Sequence, residues 1–184
     1  MRRTERIRIA FFKGDQHEWH HRFIRWWTRS PYSHAEIVLD DGETWVSISP
    51  FLYTRVAARV RTQVPDDEWD YLDFRITPEE LRALKDFISE TTGDGYDWIG
   101  MILSQVIPFT VKGKGKWYCS SWVFSALNYS GVLKSRTSKI REMPDLSPGK
   151  LYEILFRDCG LHMHLDSQQV SIGPPDDTSD SHPL

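Results

Sequence analysis

A short turn between two β-prone runs restricts this chain more than any other feature. Ser33-His34-Ala35-Glu36-Ile37-Val38-Leu39 and Thr44-Trp45-Val46-Ser47-Ile48-Ser49 flank Asp40-Asp41-Gly42-Glu43. An Asp-Gly step between such runs is the strongest short hairpin signal, because glycine readily takes the positive φ a tight turn needs. Antiparallel pairing is therefore expected here. Arg6 to Lys13 sets Ile7, Ile9 and Phe11 against Arg6 and Arg8, the period of a strand with one buried face, and Glu68 to Ile76 reads as a further strand. From Gln16 to Thr28 the spacing lengthens to three and four: Trp19, Phe23, Trp26 and Trp27 predict an amphipathic helix, with Asp15 as N-cap and Ser30-Pro31 as its break.

The second half of the chain reads mainly as helix. Thr77-Pro78-Glu79-Glu80 is a capping box with proline at the first helical position, opening a helix that carries Leu81, Leu84, Phe87 and Ile88 and stops before Gly93. A more apolar helix is expected from Asp97 to before Pro108, then a basic loop from Lys112 to Lys116. Trp122, Val123, Ala126 and Leu127 continue the helical period to Ser130-Gly131, and Ser147-Pro148-Gly149 caps a last helix holding Leu151, Ile154 and Leu155. With no βαβ rhythm, the fold class is α+β, a small antiparallel sheet packed against helices.

At 184 residues the chain can form one domain, expected over 1–165, with a polar, proline-bearing C-terminal tail over 166–184 that is too poor in apolar residues to fold. Its two cysteines supply neither a disulfide scaffold nor a zinc ligand set. There is no signal-peptide pattern, and the longest apolar stretch, Trp98 to Phe109, is interrupted by Gly100, Ser104, Gln105 and Pro108. A cytoplasmic setting, in which cysteine stays a thiol, is the expectation. A net charge of −3 argues against general nucleic-acid binding, despite a locally basic N-terminus.

Cys119 stands where a loop meets a helix start, a position at which free N–H groups and the helix dipole stabilise a thiolate; the alternative is a small buried apolar residue. Cys159, at a helix end beside Gly160, has the opposite dipole and reads as structural. A thiolate nucleophile needs an imidazole. His17, His20 and His21 share one helix, as a metal site or, more commonly, as a solvated face. His162, His164 and His182 lie in or near the tail. His34 opens a strand just before the hairpin, and is the candidate base or else a satisfied sheet residue. No metal or other cofactor is expected.

Ser33-His34-Ala35-Glu36-Ile37-Val38 before an Asp-Gly hairpin, and Tyr118-Cys119-Ser120-Ser121-Trp122-Val123 much later, resemble the circularly permuted papain-like thiol enzymes. These include permuted NlpC-type and YiiX-like peptidases and amidases and the lecithin:retinol acyltransferase family. Histidine before cysteine is the permuted order. The segment from Arg25 to His34 also resembles small bacteriophage-encoded members. The resemblance spans roughly Ile7 to Leu127 and implies a permuted papain-like architecture, with Cys119 as nucleophile and His34 as general base. For the third residue it aligns Ser47, which can accept a hydrogen bond but carries no charge. Glu36, two residues along the same strand and on the same face as His34, is the favoured charged rival. The Cys119 N–H would help form an oxyanion hole, with Tyr118 or a nearby amide as second donor. Trp26 and Trp27 cannot both point inward, so they are candidates to line a substrate groove, with Arg22, Arg25 and Arg29 alongside. The implied activity is amide hydrolysis through a thioester acyl-enzyme, on a peptide, protein-conjugate or peptidoglycan-type substrate. The alternatives are a thiol acyltransferase or lipase acting on lipid esters, or a non-catalytic binding or phage-structural module.

Overall fold

The computed structural model describes residues 4–14, 19–49, 53–62, 66–97, 116–134 and 146–158. Its elements are β1 (Glu5–Phe12), α1 (Trp19–Thr28), β2 (His34–Val38), β3 (Thr44–Ser49), β4 (Tyr53–Val60), β5 (Trp69–Ile76), α2 (Pro78–Thr91), β6 (Gly95–Tyr96), β7 (Lys116–Trp117), α3 (Cys119–Tyr129) and α4 (Pro148–Asp158). The sheet order is β5-β1-β2-β3-β4-β6-β7, antiparallel up to β6, with β7 parallel to β6. The fold is thus α+β, with a wider sheet than the sequence suggests. The difference lies in β6, β7 and β4, whose run YTRVAARV breaks the expected alternation by leaving Val60 exposed.

Strand alternation sorts the side chains onto two faces. Ile7, Ile9 and Phe11 of β1, Ala35 and Ile37 of β2, Val46 and Ile48 of β3 and Leu72, Phe74 and Ile76 of β5 form one core with α2, α3 and α4. The other face gathers Ala10, Val38, Trp45 and Trp69, with Phe12 and Tyr71 against them. The hairpin forms as expected, through a loop over 40–43 in which Gly42 has φ +75° and the Asp41 carboxylate accepts from the Glu43 and Thr44 N–H groups at 2.9 and 2.7 Å.

The helix ends follow local chemistry. Thr77 Oγ1 accepts from Glu80 N at 3.2 Å and Glu80 Oε2 from Thr77 N at 2.8 Å, the reciprocal capping box, with Pro78 opening α2. Ser147 Oγ accepts from Lys150 N at the start of α4. Phe11, Tyr32 and Tyr152 pack with ring centroids 4.7–5.4 Å apart and hold α4 against the entry to β2.

Helix α1 is amphipathic as expected, but its aromatic side is turned outward. Its aromatic stripe does not face the core: Trp19 and Trp26 are each 72% exposed and Phe23 48%. The opposite, polar side docks instead. Arg25 Nη1 donates to the Lys13 and Gly14 carbonyls at 2.6 and 3.1 Å, while His21 packs on Phe12 and bonds Ser33 Oγ. These bonds satisfy backbone acceptors that an aromatic face could not reach. The Asp15 cap, the Trp27 side chain, the basic loop over 112–115, Cys159 and the tail with its boundary at 165 lie outside the described residues. So does the helix expected from Asp97, except Asp97 itself, which is not helical.

Candidate active site

Cys119 is the first residue of α3, and the backbone before it turns sharply: Tyr118 is extended, at φ −116° and ψ 160°. Ser121 Oγ accepts from Tyr118 N at 3.1 Å and donates to the Tyr118 carbonyl at 2.9 Å, fixing that turn. Ser120 Oγ donates to the Leu146 carbonyl, and the fully buried Trp122 donates from Nε1 to Thr91 Oγ1 at 3.0 Å. Helix α3 is thereby tied to α2 and to the segment leading into α4, and Cys119 has little freedom to move. N–H groups of a first helical turn have no partner within the helix, and the Ser120 N–H donates to the cysteine sulfur.

His34 begins β2, where β1 pairs it with Phe12. On its other side the β2–β3 ladder covers only Ile37 with Val46 and Val38 with Trp45. Beyond that point side chains take over the Ala35 backbone: Ser47 Oγ donates to its carbonyl at 2.8 Å, and its N–H donates to Cys119. A register shift between β3 and β4 at Ser47–Ser49 accompanies this opening, as bulges commonly do beside sites. The cysteine sulfur thus lies where β2 parts from β3.

The imidazole of His34 lies beside the Cys119 sulfur on one side, near enough for each to shift the other's titration. On the other, its Nε2 lies 3.1 Å from Glu36 Oε1. Arg59 Nη2 in turn lies 2.5 Å from each Glu36 oxygen, and Arg61 Nη1 is 3.9 Å from Oε1. Arg61 also lies over the Trp45 and Trp69 rings, at 4.7 and 5.3 Å.

Burial alone would raise the thiol, but the adjacent imidazolium, its hydrogen bond and the Ala35 and Ser120 N–H groups hold Cys119 below its ordinary value. For His34, burial pulls downward and is outweighed by the thiolate charge and bond and then by Glu36, leaving it at about 9. Glu36 is opposed by burial and held below the ordinary carboxylate value by His34 and Arg59. Both shifts favour the charged forms, a thiolate beside an imidazolium backed by the Glu36 carboxylate.

No family model, curated protein or solved structure matches this chain.

Of the residues singled out in the sequence, the structure brings Cys119, His34, Glu36 and Tyr118 together. Between the two candidates for the third position it places Glu36 on the imidazole. Ser47 is fully buried and spends its hydroxyl on the Ala35 carbonyl, because the parted strands leave that acceptor in need of a donor. Trp26 is on the exposed side of α1. His21 serves α1 docking, and the side chains of His17 and His20 lie outside the described residues. Among the described residues no group of three His, Cys, Asp or Glu side chains could hold a metal, and no helix is long and apolar enough to cross a membrane.

Sequence reasoning missed Arg59, Arg61, Tyr96 and Asp97. Arg59 near the end of β4 and Arg61 just past it stand at i and i+2, which was the available signal once that strand was known. Tyr96 and Asp97 arrive through the short β6–β7 pairing. Tyr96 is raised well above the ordinary tyrosine range by burial first, then by the Cys119, Tyr118 and Asp97 charges.

Proposed function

We propose that this protein is a cysteine hydrolase of the circularly permuted papain-like type, cleaving an amide bond in a peptide, protein-conjugate or peptidoglycan-type substrate. The observation that carries the reading is the buried chain from Cys119 at a helix start, through His34, to Glu36. A cysteine kept only for packing needs neither an imidazole on its sulfur nor a carboxylate behind that imidazole.

The Cys119 thiolate attacks the scissile carbonyl, forming a C–S bond and an oxyanion facing the N–H groups of the α3 start. His34 gives its proton to the departing nitrogen as the C–N bond breaks, leaving a thioester and a neutral imidazole. That imidazole takes a proton from water, whose hydroxide attacks the thioester. The acid leaves, and thiolate and imidazolium are restored. Glu36 keeps the ring oriented and stabilises its charge in both half-reactions, and neither half calls for a metal or cofactor.

A second reading, a thiol acyltransferase or lipase working on lipid esters, is favoured by the exposed Trp19, Phe23 and Trp26 on α1, beside the exposed Arg22. Aromatic and basic residues on one helix suit a lipid–water boundary. Wild-type protein and Cys119→Ala are incubated with peptidoglycan fragments, ubiquitin-like conjugates and phospholipid vesicles. A Cys119 thioester detected by mass spectrometry with an amide substrate supports the hydrolase, and one formed only from vesicles supports the second reading. No adduct, with Cys119 no more reactive than a free thiol, points to a binding or structural module and overturns both.

A further inference from the structure

Arg59 does not touch the dyad, yet the described side chains around Glu36 give it a specific task. Glu36 keeps only 2% of its exposure, and a lone carboxylate buried to that degree takes up a proton rather than keep its charge. Its neighbours differ in what they offer. On β1 the residue across the ladder is Ala10, and Arg8, one repeat along, is held by Asp73 of β5 at 2.9 Å. From β3, Ser47 is engaged with Ala35. On its own strand and from α3 come His34 and Cys119, which as the proposed thiolate–imidazolium pair bring no net charge. Among the described residues, surplus positive charge comes from β4 and the residue just past its end, with Arg59 Nη2 at 2.5 Å from both oxygens and Arg61 at 3.9 Å. A donor that spans both oxygens also sets the plane of the carboxylate, and so which oxygen meets Nε2.

We infer that Arg59 is the positioning residue of this site, keeping Glu36 ionised and turned toward His34 from a strand that carries no other part of the catalytic chain. The inference rests on the proposed thiol chemistry and adds a fourth member to it. Arg59 acts through Glu36. Without Arg59, Glu36 protonates on mild acidification, the imidazolium loses its counter-charge, and the thiolate loses its partner.

The test is the pH dependence of Cys119 alkylation by iodoacetamide, a readout independent of substrate, measured on full-length protein carrying Cys159→Ser. Arg59→Met is expected to move the acid limb upward by about one pH unit, the effect of removing an opposite charge at this range. Arg59→Lys restores the limb, and Arg59→Met adds less than about a twofold further change in rate in a Glu36→Gln background. A residue of merely structural importance would lower the melting temperature and leave the limb in place. If Arg59→Met does not fold, Arg59→Gln carries the same comparison. An unmoved limb in the folded variant, or a shift undiminished by Glu36→Gln, overturns the inference. Absence of enhanced reactivity in the parent protein would instead overturn the thiol reading itself.

Discussion

Replacing Glu36 by glutamine isolates the carboxylate charge, because the two side chains have nearly the same shape and no cavity is opened. In the wild type the Glu36 oxygens receive His34 Nε2 at 3.1 Å and Arg59 Nη2 at 2.5 Å. Removing one partner of a buried charged pair costs about 3–5 kcal/mol. The Arg59 side chain keeps 17% of its exposure, and glutamine still offers it one carbonyl oxygen, which places the loss near the lower end, about 3 kcal/mol. For a chain of this size that is a melting-temperature drop of roughly 6–12 °C. The pH dependence is equally specific. A carboxyl held below its ordinary value stabilises the fold above about 4.5, and that contribution is lost as pH falls through the lower, folded value. Thermal melts of both proteins from pH 8 to pH 3 should therefore diverge at neutrality and converge below 4.5. As a control, Lys85→Ala removes a 2.8 Å pair to Asp40 whose lysine is half exposed, at a cost of about 0–1 kcal/mol. A Glu36→Gln loss under about 1 kcal/mol at pH 7, or a gap unchanged at pH 3, would refute the reasoning.

Other substitutions separate the remaining roles. Ser47→Ala leaves the Ala35 carbonyl without its donor and should cost about 1–3 kcal/mol in chemical denaturation, while the pH profile of Cys119 alkylation keeps its midpoint. A moved midpoint would return Ser47 to the catalytic chain. Thr77→Ala removes the cap of α2 and should cost about 1 kcal/mol in the same assay, with no change in thiol reactivity. The double substitution Trp19→Ser with Trp26→Ser should leave alkylation unchanged, since both side chains are exposed on α1. A fall in turnover confined to vesicle-borne substrates would favour the lipid-ester reading.

Much of this architecture is legible because it is written in contiguous residues. The alternation of β1, the Asp41-Gly42 loop, and the Thr77–Glu80 capping box are each complete within a few positions, and each forms as the local chemistry requires. Features that depend on partners distant in sequence are less legible. The three-four period of α1 is real, but which side turns inward is decided by Arg25 reaching the Lys13 and Gly14 carbonyls, and no periodicity encodes that. Strand β4 has no clean alternation, so Arg59 was invisible as a partner of Glu36, 23 residues earlier. At the site, Cys119 and His34 stand out by position, and Glu36 by its two-residue offset from His34 on one strand face. The choice between Glu36 and Ser47 is not legible in the sequence, because it turns on where the β2–β3 ladder stops.

The central claim is that Cys119 and His34 share a proton, and the rate of Cys119 alkylation by iodoacetamide against pH tests it most directly. In a Cys159→Ser background the account predicts a bell for turnover and a plateau for alkylation. Reactivity rises below the ordinary thiol value of 9.0, and the alkaline fall in turnover is set by His34 at about 9. In His34→Ala the burial of Cys119 is opposed only by the Ala35 and Ser120 N–H groups, so the alkylation midpoint should rise toward 9.0. Superimposable profiles for the two proteins would contradict the account.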